Sequence, residues 1–191
     1  MDDKLKVINY LGKNAGRAFT MYELSKLTKI PYATFYRTMK TMSDLAIQTK
    51  AGKATLVQLN RQNPLTKHYI IISSKEEKDE YLKKQLLIKK IADELPPGDY
   101  ALIMFGSYAK GMQTTKSDVD LLVINKKGER EPDFSRYETL FRIRINPIYV
   151  TREEFIAMIK DTEENVGKQA LKNHIVLYNP ELFWSIIYGI R

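Results

Sequence analysis

The residues best placed to do chemistry fall within one short stretch. Gly106 and Ser107 follow the apolar run Tyr100 to Phe105, and Asp118 and Asp120 flank Val119 just ahead of Leu121-Leu122-Val123-Ile124. A glycine at the end of a buried strand lets another group approach the backbone closely. If the next residues open a helix, its unpaired N–H groups favour a phosphate, and the Ser107 hydroxyl stands beside them. Side chains two apart on a strand project from one face, so the two carboxylates lie side by side and repel each other unless a cation neutralises them. Hard oxygen ligands of this kind suit Mg2+, which takes one or two carboxylates together with substrate phosphates. A phosphate cradle beside metal-binding carboxylates describes metal-assisted nucleotidyl transfer. The candidate set is therefore Asp118 and Asp120 as catalytic and metal-binding residues. Gly106, Ser107, Lys116 and Ser117 are the candidates for holding the nucleotide. Lys110 and Lys116 read equally well as ordinary surface.

The elements that must position this set are legible from periodicity. Tyr100–Phe105 reads as a buried strand and Val119–Ile124 as a second, near-continuous apolar one. Ile143–Val150 is a third strand, after a charged loop at 126–132. Helices are expected at 153–159 and 164–173, a fourth short strand at 175–178, and a closing apolar helix at 181–190. Ahead of them, Ser74 to Leu95 reads as one long helix: Ser74 and Glu77 form the pattern of a capping box, and Pro96-Pro97-Gly98 stops it.

The Gly106-Ser107 pair, ten intervening residues, and Asp118-Val119-Asp120 resemble the signature of the polymerase-beta-like nucleotidyltransferases. The similarity is particularly to the minimal nucleotidyltransferase group, whose small members occur as antitoxins beside HEPN-domain toxins. It covers about residues 95–160. It implies binding of a nucleoside triphosphate, usually ATP, with Mg2+, and transfer of its nucleotidyl group to an acceptor hydroxyl. It also implies a HEPN-type toxin as partner. Family members that catalyse usually add a third carboxylate on a neighbouring strand, as general base and second metal ligand. Here that strand, Arg142 to Val150, holds no acid, and Asn146 sits near the expected position. An amide coordinates a metal weakly and cannot act as a base. Glu129, Glu131, Asp133 and Glu138 lie earlier in the chain and read as solvated loop charge, although one of them could swing in.

The front of the chain has a different texture. Of the formal net charge of +8, residues 1–61 carry +7, with 11 Lys/Arg against 4 Asp/Glu. Helices at 3–11, from Thr20 to Leu27 and from Tyr32 to Leu45 precede two short strands, Ile47–Lys50 and Ala54–Leu59, joined at Ala51-Gly52-Lys53. That order resembles a winged helix-turn-helix, in which the third helix enters the DNA major groove and the wing touches backbone phosphate. The resemblance implies that Tyr32, Thr34, Arg37, Thr38 and Lys40 face duplex DNA and that Lys50 and Lys53 sit on the wing. It extends to a homodimer, since such proteins often bind as dimers. The alternative for this module is protein binding or dimerisation alone.

The fold expected is α+β. A winged helix-turn-helix domain occupies 1–62, a linker and connecting helix 63–95, and a polymerase-beta-like nucleotidyltransferase core with a mixed sheet flanked by helices 96–191. The chain has no cysteine, which excludes disulfides, zinc-thiolate sites and cysteine nucleophiles. No apolar run approaches the roughly 20 residues that span a bilayer, and the N-terminus lacks the layout of a signal peptide. A cytoplasmic location without membrane contact is the expectation. Two functions fit these features. One is an ATP- and Mg2+-dependent nucleotidyltransferase acting on a macromolecule, antitoxin-like and autoregulated through DNA. The other is a DNA-binding regulator whose rear domain binds nucleotide without turnover.

Overall fold

The computed structural model describes residues 1–190 and divides into two compact units, 1–76 and 77–191, the division falling inside a helix. In the first unit, α1 (Asp3–Lys13), β1 (Phe19–Thr20), α2 (Met21–Leu27), α3 (Tyr32–Lys40), β2 (Ala46–Ala51) and β3 (Ala54–Leu59) follow one another. β2 and β3 form an antiparallel hairpin, and β1 adds to the far edge of β3 to give the order β1-β3-β2. Thr20 caps α2, its hydroxyl accepting from the Glu23 N–H at 3.1 Å. The reciprocal half of the expected box is missing, because the Glu23 carboxylate pairs with Arg17 instead. Lys29 at φ +56° and Pro31 separate α2 from α3. The apolar stripe buries Leu5, Ile8, Leu11, Leu24, Phe35 and Met39, at about 1.5–3 kcal/mol each. α3 ends at Lys40, earlier than the periodicity suggests, and tight turns carry the chain to β2.

The long helix expected at 74–95 is two helices. α4 runs from Pro64 to Leu82 and α5 from Leu86 to Asp93. Ser74 is no cap: it is buried inside α4 at 1% exposure. The helix starts instead at the Asn63-Pro64 step, where the Asn63 side chain accepts from the Leu65 N–H at 2.9 Å and proline occupies the first turn.

The second unit is built on a mixed sheet of four strands, β4 (Tyr100–Phe105), β5 (Val119–Asn125), β6 (Ile145–Thr151) and β7 (Ile175–Tyr178), in the order β6-β5-β4-β7. β5 and β6 are parallel, whereas β4 runs antiparallel to both β5 and β7. The whole of β4 is buried, as a strand covered on both faces must be. One face, with Tyr100, Leu102, Met104, Val119, Leu121 and Val123, packs on Ile88, Ile91, Phe134 and Tyr137. α8 (Arg152–Lys160), α9 (Val166–Lys172) and α10 (Pro180–Gly189) pack against β4, β5 and β6 and bury Phe155, Ala170, Phe183 and Trp184.

Two further helices complete this unit. The short α6 (Gly106–Ala109) follows β4 directly, and α7 (Ser135–Phe141) lies between β5 and β6. Nothing in the local sequence pattern of 133–142 marks α7 as a helix. α7 forms because the Asp133 carboxylate accepts from the Ser135 N–H and hydroxyl, and it ends at Arg142 in the left-handed region, φ +52°. These same hydrogen bonds hold the Asp133 carboxyl below its ordinary range. No helix among the described residues is long and apolar enough to cross a membrane.

Candidate active site

The site lies at one end of the sheet. Phe105, the last residue of β4, pairs with Asp120 near the start of β5, and Asp120 pairs in turn with Asn146 of β6. Gly106 turns the chain from β4 into α6 with φ +69°. A Cβ at Gly106 would collide with Oδ2 of Asp120 and lie 3.1 Å from its Cγ. Glycine is therefore required twice here, once for its backbone angle and once because the carboxylate fills the space a side chain would take. Asp118, two residues before Asp120, shares its face by strand alternation, and both side chains are partly exposed.

The expected residues thus converge in part. Gly106 and Asp120 touch, Ser107 follows at the first turn of α6, and Asp118 stands beside Asp120. The Ser107 hydroxyl has no hydrogen-bond partner among the described residues, while its carbonyl accepts from the Met112 N–H at 3.0 Å. Ser117 uses its hydroxyl inside the loop: it accepts from the Thr114 N–H at 2.9 Å and lies 3.2 Å from the Thr114 hydroxyl. That turn delivers the chain to Asp118. Lys116 is exposed, and its N–H donates to the Thr114 hydroxyl.

Two contacts set the electrostatics. Arg144 approaches Asp118 at 3.8 Å, with side chains 79% and 41% exposed. So long and solvated a pair is worth about 0–1 kcal/mol and leaves Asp118 free to exchange partners. Asn146 donates from Nδ2 to Oδ1 of Asp120 at 3.3 Å. Asn146 thus stands across the ladder from the second aspartate, near where the sequence resemblance leads one to expect a third carboxylate.

None of the earlier acids takes that place. Glu129 and Glu131 are tied by their carbonyls to the Asn125 side chain at the opposite end of β5, and Asp133 lines the same cavity as Asn125. Five residues of strand separate Asn125 from Asp120, about 17 Å. Glu138 is nearer, but its Oε1 accepts from the Ile145 N–H at 2.8 Å and so is used to start β6. Among the described residues no three His, Cys, Asp or Glu side chains gather into a metal-binding group. A site for Mg2+ here has two carboxylates to offer, a number that fits an ion completing its shell with phosphates and water.

Cavities border the sheet at both ends. Two lie away from the aspartates, one of about 490 Å3 at the Tyr100–Asn125 end and one of about 570 Å3 beside Gly128, Pro147, Ile148 and Tyr149. A smaller one, about 270 Å3, is lined by Phe105, Gly106, Lys110, Glu164, Gln169, Lys172 and Asn173. It adjoins the Gly106–Asp120 contact, and chemistry rather than volume decides among them. Gln169, Lys172 and Asn173 escaped the sequence reading because nothing local to them marks a site; the β4–β7 pairing brings them there.

In the first unit, Tyr32 is 48% exposed and Arg37 and Lys40 are exposed along α3, while Thr34 is half-buried. Lys50 is exposed on β2, and Lys53 lies at the tip of the hairpin beside Gly52, φ +59°. Tyr36 was passed over on sequence, yet it is 45% exposed on the same helix and Lys40 lies over its ring at 4.8 Å.

A mixed sheet carrying a glycine turn against paired carboxylates defines a domain suited to phosphoryl chemistry. Residues 85–177 match the family model described as nucleotidyltransferase domain, so the stretch holding Gly106, Ser107, Asp118, Asp120 and Asn146 is similar to that family. No curated protein and no solved structure matches the chain.

Proposed function

We propose that this chain is an Mg2+-dependent nucleotidyltransferase that moves a nucleotidyl group from ATP or another nucleoside triphosphate to a hydroxyl of a macromolecule. The observation that carries this reading is the wedge of Asp120 against Gly106, with Asp118 two residues away on the same face. Asp118 and Asp120 would hold the ion. Bound there with a triphosphate, Mg2+ supplies neutralisation of the phosphate charge. Gly106 admits the phosphate chain close to the backbone, and the Ser107 hydroxyl is free to donate to it. Lys116, exposed on the approach to Asp118, offers a cation to the outer phosphates. Asn146 keeps the Asp120 carboxylate oriented and accepts no proton, so the acceptor hydroxyl must lose its proton to solvent or to the acceptor itself.

Incubation of the whole chain with α-labelled ATP, Mg2+ and candidate RNA or protein acceptors tests the proposal. Label should move to an acceptor and fail to do so with Asp118→Ala or Asp120→Ala. Label retained in both variants would overturn it.

The position of Asn146 favours one second reading, a regulator that binds nucleotide without turnover. Under that reading MgATP binds and no acceptor is labelled. In both readings residues 1–62 form a winged helix-turn-helix that binds duplex DNA through Tyr32, Thr34, Arg37, Lys40, Lys50 and Lys53, supported by the charge of the segment and the exposure of these side chains on α3 and the hairpin. The antitoxin-like version adds a HEPN-type toxin and a second copy of the chain as partners. Co-expression with an adjacent HEPN reading frame and the mass of the purified assembly test those two.

A further inference from the structure

The 270 Å3 cavity beside Gly106 has a composition that the phosphate and metal chemistry does not use. β7 runs antiparallel to β4 with Met104 opposite Ile175. Two residues along each strand, Gly106 and Asn173 therefore come to the same level. Gln169, one turn earlier on α9, lines the same cavity. The Gln169 and Asn173 side chains are exposed, and neither carboxamide is hydrogen-bonded to another described residue. The two charges on that side cancel: Lys172 Nζ sits 2.9 Å from both carboxylate oxygens of Glu164. Phe105 supplies an apolar margin. Lys110 is the remaining cation, held one turn beyond Gly106 by its N–H to the Gly106 carbonyl.

A recess whose Gln169–Asn173 side is neutral and carries free donors and acceptors suits a neutral, planar, hydrogen-bonding group there. Its volume falls just below the roughly 300–1,000 Å3 of sites for drug-sized ligands, the size for a base rather than a whole nucleotide. A carboxamide offers one donor and one acceptor together, the pattern that matches adenine, whereas guanine is met best by Arg or Lys. We infer that Gln169 and Asn173 form a base-selecting subsite that prefers adenine to guanine, with Lys110 between it and the phosphates. This rests on the reading of Gly106, Asp118 and Asp120 as the triphosphate site.

Binding of MgATP, MgGTP and Mg-tripolyphosphate to the whole chain, measured by calorimetry, separates the two ideas. The expected result is about a tenfold preference for ATP over GTP, within the roughly 5- to 150-fold by which one bidentate amide–base pair discriminates. In the Gln169→Leu/Asn173→Ala variant the preference should vanish while tripolyphosphate binds as before. Both positions are exposed, so the variant should fold, and Gln169→Glu, which keeps the size but loses the donor, checks the result independently. Equal affinity for ATP and GTP, or a preference that survives in the double variant, overturns the subsite. Failure of all three ligands to bind overturns the triphosphate site and the subsite with it.

Discussion

Alanine at Gly106 and alanine at Gly111 make a matched pair of perturbations. Both glycines have left-handed backbone angles, φ +69° and +66°, so each substitution costs about 1–2 kcal/mol in backbone strain alone. They differ in surroundings. Nothing lies within 4 Å of a Cβ at Gly111, whereas at Gly106 the new methyl meets the Asp120 carboxylate. Pushing that carboxylate off its rotamer adds about 0.5–1.5 kcal/mol. The Gly106→Ala variant should thus lose roughly 1.5–3.5 kcal/mol and Gly111→Ala only its strain. At about 4 °C per kcal/mol for a domain of this size, the midpoints should fall by roughly 6–14 °C and 4–8 °C. The functional contrast is sharper. Gly106→Ala displaces a carboxylate proposed to hold Mg2+ and closes the approach to the backbone, so MgATP affinity should drop about 100-fold, the upper range for disturbing a metal site. Gly111→Ala should bind within about twofold of the parent. Denaturant unfolding and calorimetric titration read both effects. If Gly106→Ala binds MgATP like Gly111→Ala, the wedge between Gly106 and Asp120 is a packing feature and the argument for a site there fails.

Asn146→Asp puts a carboxylate across the ladder from Asp120. Like charges so placed should cost about 1 kcal/mol until Mg2+ is added, and labelling of acceptors should speed up; thermal unfolding with and without Mg2+ checks it, and stability indifferent to the ion would separate Asn146 from the aspartates. Burial raises the hydroxyls of Tyr81 and Tyr100 to about 12 from an ordinary value near 10. Because the folded state holds these protons longer than the unfolded one, their contribution is complete below pH 10 and is lost as pH rises towards 12. Tyr81→Phe should flatten that decline in a pH series of unfolding curves, at a cost of about 1 kcal/mol for the hydrogen bond to the Tyr108 carbonyl. Arg37→Ala and Lys50→Ala should each weaken duplex DNA binding for all sequences alike and reduce the salt slope by about 1, read by gel shift across a salt series; an unchanged slope would remove that side chain from the interface.

What could be read from the sequence was local. The β4 and β5 runs, the glycine between them and the parity of Asp118 and Asp120 depend on residues within a few positions of one another, and the structure keeps that spacing. The start of α4 was misread because Ser74 and Glu77 imitate a capping box, a pattern that carries no information about burial. The true signal, Asn63 followed by Pro64, lay in a stretch whose polarity suggested a linker. α7 escaped because Phe134, Tyr137 and Phe141 are spaced among charges that look like loop. Its helix depends on the Asp133–Ser135 hydrogen bonds and on burying Phe134 and Tyr137 against β4 and β5. Least legible was the far wall of the site, since Asn173 and Gly106 are brought level only by the β4–β7 pairing.

Under the proposed function, that pairing would also make binding and turnover separable. Reading across one end of the sheet, β6 contributes Asn146, β5 Asp120, β4 leads into Gly106, and the approach to β7 gives Asn173. On the proposed function, the groups that would hold a triphosphate lie in the middle of this row and on its Asn173 side: an open backbone turn, two carboxylates and free amides. The opposite end is where an acceptor's proton would be taken, and there the side chain is an amide already donating to Asp120. Replacing that single amide by a carboxylate therefore changes the proton inventory and, of the nucleotide-holding half, alters only the hydrogen bond to Asp120. If Asn146→Asp leaves MgATP affinity nearly constant while raising transfer, the row works as two halves. If instead affinity collapses, Asn146 is needed to orient Asp120, and the regulator reading gains on the enzyme.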